Sequence, residues 1–367
     1  MTSIALLSLA IWLYLFFAHG KFWASAPQLP VAAPPQFPDV DIVVPARDEA
    51  ASIGRVIASL LAQDYGGRFR VVLVDDNSTD GTAAMAGAAP NLQVISLESK
   101  PAGWSGKLWA LSHGVAAGDA PIILLTDADI VHDPQHLSSL VAKLLESRLD
   151  LVSEMVRLNC ASLAERALVP AFVYFFQMLY PFTKVNDPHA AAAAAAGGTV
   201  LIRREALERI GGMEAIKDTL IDDVALAKAV KKSGCIFLGH SALAASIRPY
   251  PNFKDIWDMI SRTAFTQLRY SPLLLGLTLA GLALVWLVPA WEILFGHGAR
   301  FGFGLAAFVL ATMSYQPTLA RYRRSRLWAL ALPLIALFYM AATVGSAFRY
   351  WRGSGANWKN RAYGAER

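Results

Sequence analysis

The sequence predicts an α/β domain, a Rossmann-like and mostly parallel sheet with helices on both faces, flanked by N- and C-terminal transmembrane helices. Three observations predict it. Between residues 40 and 270, short apolar runs alternate with capped or amphipathic segments, the pattern of strands joined by helices. Runs such as "VVLV" and "IILL" are apolar at every position, as strands covered on both faces must be. Both ends of the 367-residue chain carry long uncharged apolar stretches, long enough to cross a bilayer.

Residues 1–24 begin with "SIALLSLAIWLYLFFA". No basic region precedes this run and no A-x-A site clearly ends it, so an uncleaved anchor is expected rather than a signal peptide. Residues 25–39 are a proline-rich linker, which forbids helix and predicts an extended tether. Residues 40–270 form the central α/β domain. In it "VDIVVPA", "FRVVLVDD", "LQVISLE" and "PIILLTDAD" read as strands. "DEAASIGRVIASLLAQD", "STDGTAAMAGAA" and "GKLWALSHGVAAG" read as helices, the second opening on capping residues. Residues 168–183 are aromatic and broken by proline, which fits either a core helix or one lying at a membrane interface.

Residues 271–348 hold two to three further apolar helices, and residues 349–367 a basic tail. The turn "RYRRSR" at 321–326 places its side in the cytoplasm by the positive-inside rule. A multi-pass protein of the inner, cytoplasmic membrane with its middle domain in the cytoplasm is therefore expected. Four crossings would put the basic tail outside, against the same rule, so the number of crossings stays open.

The chain is 55% hydrophobic, with mean hydropathy +0.40, net charge +5 and pI about 9.2. Much of the positive charge lies near the C-terminus beside apolar runs, which suits an anionic membrane surface and predicts no nucleic-acid partner. The two cysteines, Cys160 and Cys235, have neither metal spacing nor a disulfide framework.

Ligands of open parallel sheets bind beyond the carboxyl ends of the strands, and four polar clusters fall near such ends. They are "VPARDE" with Pro45, Ala46 and Glu49; the pair Asp75 and Asp76; "GWSGK" with Lys107; and "LLTDAD" with Asp127 and Asp129. Carboxylates in D-x-D spacing suit Mg²⁺ or Mn²⁺, which takes one or two of them plus substrate phosphates. No G-x-G-x-x-G follows the first strand and "GWSGKL" lacks the P-loop spacing, so neither a dinucleotide site nor a Walker ATPase is expected. Asp222 and Asp223 open a later helix. They serve either the macrodipole or a general base, which the helix terminus is expected to keep ionised. Arg262, Gln267, Arg269 and Tyr270 precede the C-terminal apolar region, as phosphate or acceptor contacts or as a plain basic face. The sequence places His240 after the run "CIFLG", as a structural residue or a metal ligand. "HAAAAAAAGG" ends in small residues that permit close backbone approach.

The ordered set "VPARDE", "VDDNSTDGT", "TDAD", "GGTVLIRREALERIGG" and "IDDVALAKAV" resembles the family 2 glycosyltransferases of GT-A fold over residues 38–270. "PAGWSGKLWAL" and the apolar layout resemble, more narrowly, the hopanoid-associated glycosyltransferases of bacteria, near carotenoid-type and ceramide-glucosyltransferase-like branches. The resemblance implies a nucleotide-sugar donor, a UDP-sugar foremost, and a membrane lipid acceptor. It implies that Asp76 and Asp75 face the nucleotide base, with Ala46–Glu49 lining the same pocket. Asp127 would touch ribose or metal, Asp129 would bind Mg²⁺ or Mn²⁺, and Asp223 would be the base of an inverting transfer. Asp222 stands where glutamate is more usual. Arg269-Tyr270 resembles the Arg-Trp end of a Q-x-x-R-W motif, with Thr266 at the glutamine position and Gln267 one residue late, a departure that argues against processive polymer synthesis. A phosphoacceptor receiver domain, the non-enzyme rival, needs its acidic pair after the first strand, not the second.

Overall fold

The computed structural model describes residues 2–353, 357–358 and 361–362. The basic tail expected at 349–367 therefore lies mostly outside the described residues. Two compact units partition the chain. The first comprises Met1–Ser25, Cys160–Thr183 and Tyr250–Ala356; the second comprises Ala26–Asn159, Lys184–Pro249 and Asn357–Arg367.

The second unit is built on one eight-stranded sheet. Its strands are β1 (Val40–Ala46), β2 (Phe69–Asp75), β3 (Leu92–Ser96), β4 (Ile122–Thr126), β5 (Ile130–His132), β6 (Leu151–Arg157), β7 (Thr199–Arg203) and β8 (Ile236–Ser246). Their order across the sheet is β3-β2-β1-β4-β7-β6-β8-β5. β3, β2, β1 and β4 pair in parallel, as do β6 and β8. The pairs β4-β7, β6-β7 and β5-β8 are antiparallel. The sheet is thus mixed, where a mostly parallel one was expected. The reason is that a central strand buried on both faces is apolar throughout whichever way it runs, so β7 ("TVLIR") carries no sign of its direction.

Every residue of β1 is buried. Val40, Ile42 and Val44 share one apolar cluster with Ile53, Val56, Ile57 and Leu60 of the helix Ala50–Leu61, and with Leu137, Leu140, Val141 and Leu144 of the helix His136–Glu146. Val72 and Val74 of β2 pack in a separate cluster with Ala110 of the helix Gly106–Ala116. That helix lies close to the sheet because residue 114 is glycine. A Cβ there would stand 2.2 Å from Val43 Cγ1 and 3.1 Å from Val74 Cγ2, overlaps that close packing does not absorb.

The helix expected across "STDGTAAMAGAA" is only the single turn Thr82–Met85. Its polar residues are spent on a neighbouring loop instead, as described below. The proline-rich segment is extended, but it is laid along β8. Leu29 N–H donates to the His240 carbonyl at 3.1 Å, and His240 N–H donates to the Pro27 carbonyl at 2.8 Å.

The first unit is helical. Among the described residues, two helices are long and apolar enough to cross a membrane, Pro272–Phe295 and Arg326–Trp351. The N-terminal apolar helix Thr2–Ala18 is shorter than that. It is joined to the first of the two by polar contacts at a π-helical turn, Ala283–Leu287, a geometry in which backbone carbonyls are displaced from regular helical bonding. There Ser8 Oγ donates to the Leu284 carbonyl at 2.7 Å and Trp12 Nε1 to the Val285 carbonyl at 2.8 Å. The aromatic segment forms the helix Leu163–Leu179, opened by a Ser162–Glu165 capping box. Val173, Tyr174 and Gln177 on it are buried, so within this unit it packs as a core helix.

Candidate active site

Topology sets the site. The carboxyl ends of β1, β2 and β4 lie on one edge of the sheet because the three strands are parallel. β7 runs the other way, and its first residue, Thr199, pairs with the last residue of β4, Thr126. The inversion therefore delivers Gly197 and Gly198 to the same edge. The chain leaving β8 arrives there too, since Ser246 pairs with Ile130 and Ile247 N–H donates to the Asp129 carbonyl at 2.8 Å.

The loops after β1 and β2 are zipped together. Backbone N–H groups of Asp48, Glu49 and Ala50 donate to Ser78 Oγ, Thr82 Oγ1 and Asp80 Oδ2 at 2.9, 2.8 and 2.9 Å. Thr79 N–H returns a bond to Asp48 Oδ1 at 2.9 Å. Asp48 and Asn77 adopt φ of 50° and 55°, a left-handed conformation that Asp and Asn tolerate best among non-glycine residues. Asp75 accepts from the Ser78 N–H at 3.3 Å and from its hydroxyl. Asp76 is fully buried, and Arg47 Nη1 lies 3.9 Å from its Oδ2.

Lys107 sits in the first turn of the helix Gly106–Ala116, whose N-cap Ser105 accepts from Leu108 N–H. Its amine lies 2.9 Å from Asp127 Oδ1 and 3.1 Å from Asp222 Oδ2, joining the D-x-D loop to the later acidic pair. Burial works against charging this amine. Asp127, Asp222 and Asp223 outweigh it and hold the pKa well above the ordinary lysine value. Burial also raises Asp127, helped by Asp129 and Asp222 and opposed by Lys107.

Asp223 opens the helix Asp222–Lys231. Its Oδ1 accepts from Val224 N–H at 2.7 Å and its Oδ2 from Gly197 N–H at 2.8 Å. Leu108, Leu111, Val200, Met213 and Leu226 share its cleft with Pro45, Lys107 and Asp127. That apolar enclosure, then the charge of Asp222, pushes the Asp223 pKa up to about 7, against the pull of Lys107 and the two backbone donors. The expectation that the helix terminus keeps this carboxylate ionised is corrected. Desolvation and a like charge outweigh the amides. The small residues before β7 do permit close approach, but it is Asp223 that approaches. A Cβ on Gly197 would lie 3.3 Å from Asp223 Oδ2 and 3.4 Å from Lys107 Nζ.

Asp129 is bound by Arg248, a residue the motif reading passed over. Arg248 Nε lies 2.6 Å from Asp129 Oδ2, and its Nη2 is paired with Glu49. Only the antiparallel β5-β8 pairing brings residues 129 and 248 together, so no local pattern marks them. His240 is buried in β8. Among the described residues no group of three or more His, Cys, Asp or Glu is gathered for a metal. The donor set nevertheless fits a hard cation. Lys107 meets Asp127 through Oδ1 alone and Arg248 meets Asp129 through Oδ2 alone, which leaves each carboxylate a second oxygen to offer beside a ligand's phosphates.

Arg262, Gln267, Arg269 and Tyr270 lie in the helical unit. Gln267 Nε2 donates to Tyr180 Oη. Tyr270 stacks on Tyr350 at 4.4 Å between centroids, and Arg269 and Tyr270 end the helix Phe253–Gln267 with φ of 52° and 57°.

Comparison with known proteins agrees with the fold. Residues 41–211 match the model of glycosyl transferase family 2. The chain is 25% identical over 266 residues to the beta-monoglucosyldiacylglycerol synthase of a Nostoc species, an alignment covering 66% of this chain and 56% of that one. It is 30% identical over 128 residues to the dodecaprenyl-phosphate galacturonate synthase of Rhizobium johnstonii, covering 32% of this chain and 36% of that one. It thus spans about a third to just over half the length of these relatives. In fold it is similar to the mannosyltransferase PcManGT of Pyrobaculum calidifontis, solved with GDP-Man and Mn²⁺. The TM-score is 0.57 at 21% identity, over 94% of this chain and 98% of that one. Residues 41–211 of this chain are therefore similar to glycosyl transferase family 2, on a fold similar to that of PcManGT.

Proposed function

We propose that the chain is an inverting glycosyltransferase that moves a sugar from a nucleotide-sugar donor to a lipid acceptor in a membrane. One observation carries the reading. Lys107 bridges Asp127 of the D-x-D loop to Asp222, beside an Asp223 whose pKa is pushed up to about 7. A base that titrates near the working pH is well matched to proton transfer. Asp223, deprotonated, takes the proton of an acceptor hydroxyl as that oxygen attacks the anomeric carbon. The bond from that carbon to the diphosphate breaks on the opposite face, so the centre inverts and no covalent sugar-enzyme intermediate forms. Lys107 and Arg248 supply positive charge where the leaving diphosphate gathers negative charge. Asp127 and Asp129 would hold Mg²⁺ or Mn²⁺, which when bound adds Lewis-acid stabilisation of the same leaving group. Pro45, Ala46, Glu49, Asp75 and Asp76 line the nucleotide side, and Arg262, Gln267, Arg269 and Tyr270 serve phosphate or acceptor.

A membrane acceptor is supported by the two long apolar helices and by relatives named for diacylglycerol and dodecaprenyl phosphate. Placing the catalytic unit in the cytoplasm of a multi-pass inner-membrane protein rests on the basic turn at 321–326. A hopanoid or related isoprenoid acceptor rests on the resemblance of "PAGWSGKLWAL" alone; ceramide- and carotenoid-type lipids are its rivals. The test incubates the full chain in detergent with UDP- and GDP-sugars, Mn²⁺ and a bacterial lipid extract. Nucleoside diphosphate release that depends on the lipid is expected. Absence of binding to every nucleotide sugar overturns the reading.

Two further outcomes follow. Asp222→Asn removes the like charge beside Asp223, so the acid limb of the kcat/KM profile, expected near pH 7 from Asp223, moves to lower pH. A limb that stays or rises refutes the coupling. Arg248→Gln removes the cation held at Asp129, so Mn²⁺ binding without nucleotide tightens, by about ten-fold for one partly exposed charge. Free-Mn²⁺ resonance reads the change, and unchanged or weaker binding refutes it.

A further inference from the structure

Beneath the site runs a buried polar chain that the reaction above does not use. Thr126, His132, His136 and Glu154 are all buried, on β4, on β5, at the start of the helix His136–Glu146 and on β6. Glu154 Oε2 lies 2.6 Å from His136 Nε2, and His136 Nδ1 lies 2.7 Å from His132 Nδ1. His132 Nε2 lies 3.0 Å from Thr126 Oγ1, which lies 2.8 Å from the Gly198 carbonyl oxygen.

The direction of the bond between His132 and Thr126 follows from the last one, and the other two follow from the neutrality of His132. A carbonyl only accepts, so the Thr126 hydroxyl donates to Gly198. Its single proton is then spent, and His132 must donate to it from Nε2. His132 is neutral, since burial and then His136 push its pKa well below the ordinary histidine value. Its Nδ1 is therefore bare and accepts from His136 Nδ1–H. The remaining proton lies between His136 Nε2 and Glu154 Oε2, and the pair has zero net charge on whichever atom it rests. The chain thus carries no net charge and gives the Thr126 hydroxyl, all four ring nitrogens and Glu154 Oε2 a partner, as a low-dielectric interior demands, and leaves Glu154 Oε1 as its one buried oxygen without one.

Both exits of this chain touch the site. Thr126 precedes Asp127, and Gly198 follows Gly197, whose N–H holds Asp223 Oδ2 at 2.8 Å. We propose that the chain Glu154–His136–His132–Thr126–Gly198 is a positioning relay that holds the D-x-D loop and the base in register. It sets the rate of transfer without contributing to donor binding. The proposal rests on the reading of Asp223 and Asp127 as reaction residues. These four act as positioning residues; Thr126, buried in the wall of the cleft, is the one nearest the reaction.

The test has two arms. In the full chain in detergent micelles, ¹⁵N-histidine NMR is expected to show His132 protonated at Nε2 and bare at Nδ1. The opposite tautomer, or a charged His132, overturns the relay. This arm needs no substrate. In the second arm Thr126→Val keeps the shape and removes the hydroxyl, whereas Thr126→Ser keeps the hydroxyl. With the UDP- or GDP-sugar that the wild-type chain turns over, Thr126→Val is expected to lower kcat about ten-fold, as small misplacements near reacting groups do. KM for the donor stays within about two-fold, and Thr126→Ser recovers most of kcat. A valine variant as fast as wild type, or one whose KM rises while kcat holds, overturns the proposal. If Asp223→Asn remains active in the same assay, the functional reading fails instead. If Asp223→Asn is dead and Thr126→Val turns over as fast as wild type, the relay alone fails.

Discussion

Asp223→Asn is expected to lower sugar transfer by about 10³-fold or more while leaving the affinity for the nucleotide sugar within about two-fold. The amide keeps the shape of the side chain and can still accept from Gly197 N–H, so the cleft persists. What it cannot do is take a proton. Isothermal titration with the donor and a turnover assay on the same preparation separate the two effects. Turnover near the wild-type rate rejects Asp223 as the base.

The same variant should be more stable than the parent, and the pH dependence has a definite sign. In the fold the Asp223 pKa is pushed up to about 7 from an ordinary value of 3.8. Between those values unfolding releases a proton, so stability falls as pH rises. The loss is complete above about pH 7 and absent below about pH 4. Asparagine carries no such penalty. The melting temperature of Asp223→Asn is therefore expected to exceed that of the parent by about 3 °C at pH 8, and to match it near pH 4. A gain of this kind on loss of activity is the mark of a group held in an unfavourable state for its chemistry.

Lys107→Met should be nearly as damaging, by a different route. Its amine neutralises Asp127 and Asp222 at 2.9 and 3.1 Å and holds the Asp223 pKa down. Without it three carboxylates share one cleft uncompensated, and the leaving diphosphate loses a positive partner. Transfer is expected to fall about 10²- to 10³-fold. The acid limb of the pH profile moves up, opposite to its shift in Asp222→Asn. Lys107→Arg, which keeps the charge but not the reach, should restore only part of the rate. A methionine variant with half the parent's turnover and an unmoved limb rejects the bridge.

Several of these residues are legible in the chain as written. Asp76, Asp127 and Asp129 follow apolar runs that can only be buried strands, and a parallel sheet brings such ends to one edge. Asp222 and Asp223 open a helix whose amphipathic pattern is plain. Lys107 follows Ser105, a capping residue. Other features are not legible, for reasons that are equally physical. Arg248 and Asp129 are 119 residues apart and meet only through the antiparallel β5-β8 pairing. His132 and His136 read as a lone pair at helical spacing, and nothing local says that Glu154 lies against one and Thr126 against the other. The helix at Thr82–Met85 is a single turn because Ser78, Asp80 and Thr82 accept from backbone N–H groups of residues 48–50 rather than serve a longer helix. They tie down the loop after β1.

By itself the sequence determined which groups are present and at which strand ends and helix starts they stand, since burial and periodicity are local properties. Direction, partner and protonation were decided by tertiary structure. An apolar strand reads alike both ways, yet only because β7 runs antiparallel does Gly197 meet Asp223. A helix terminus favours a charged carboxylate, yet only the folded cleft, by removing water and placing Asp222 alongside, turns that preference over. Pairings across a sheet and the loss of solvent depend on residues distant in the chain, and these two set the chemistry of the site.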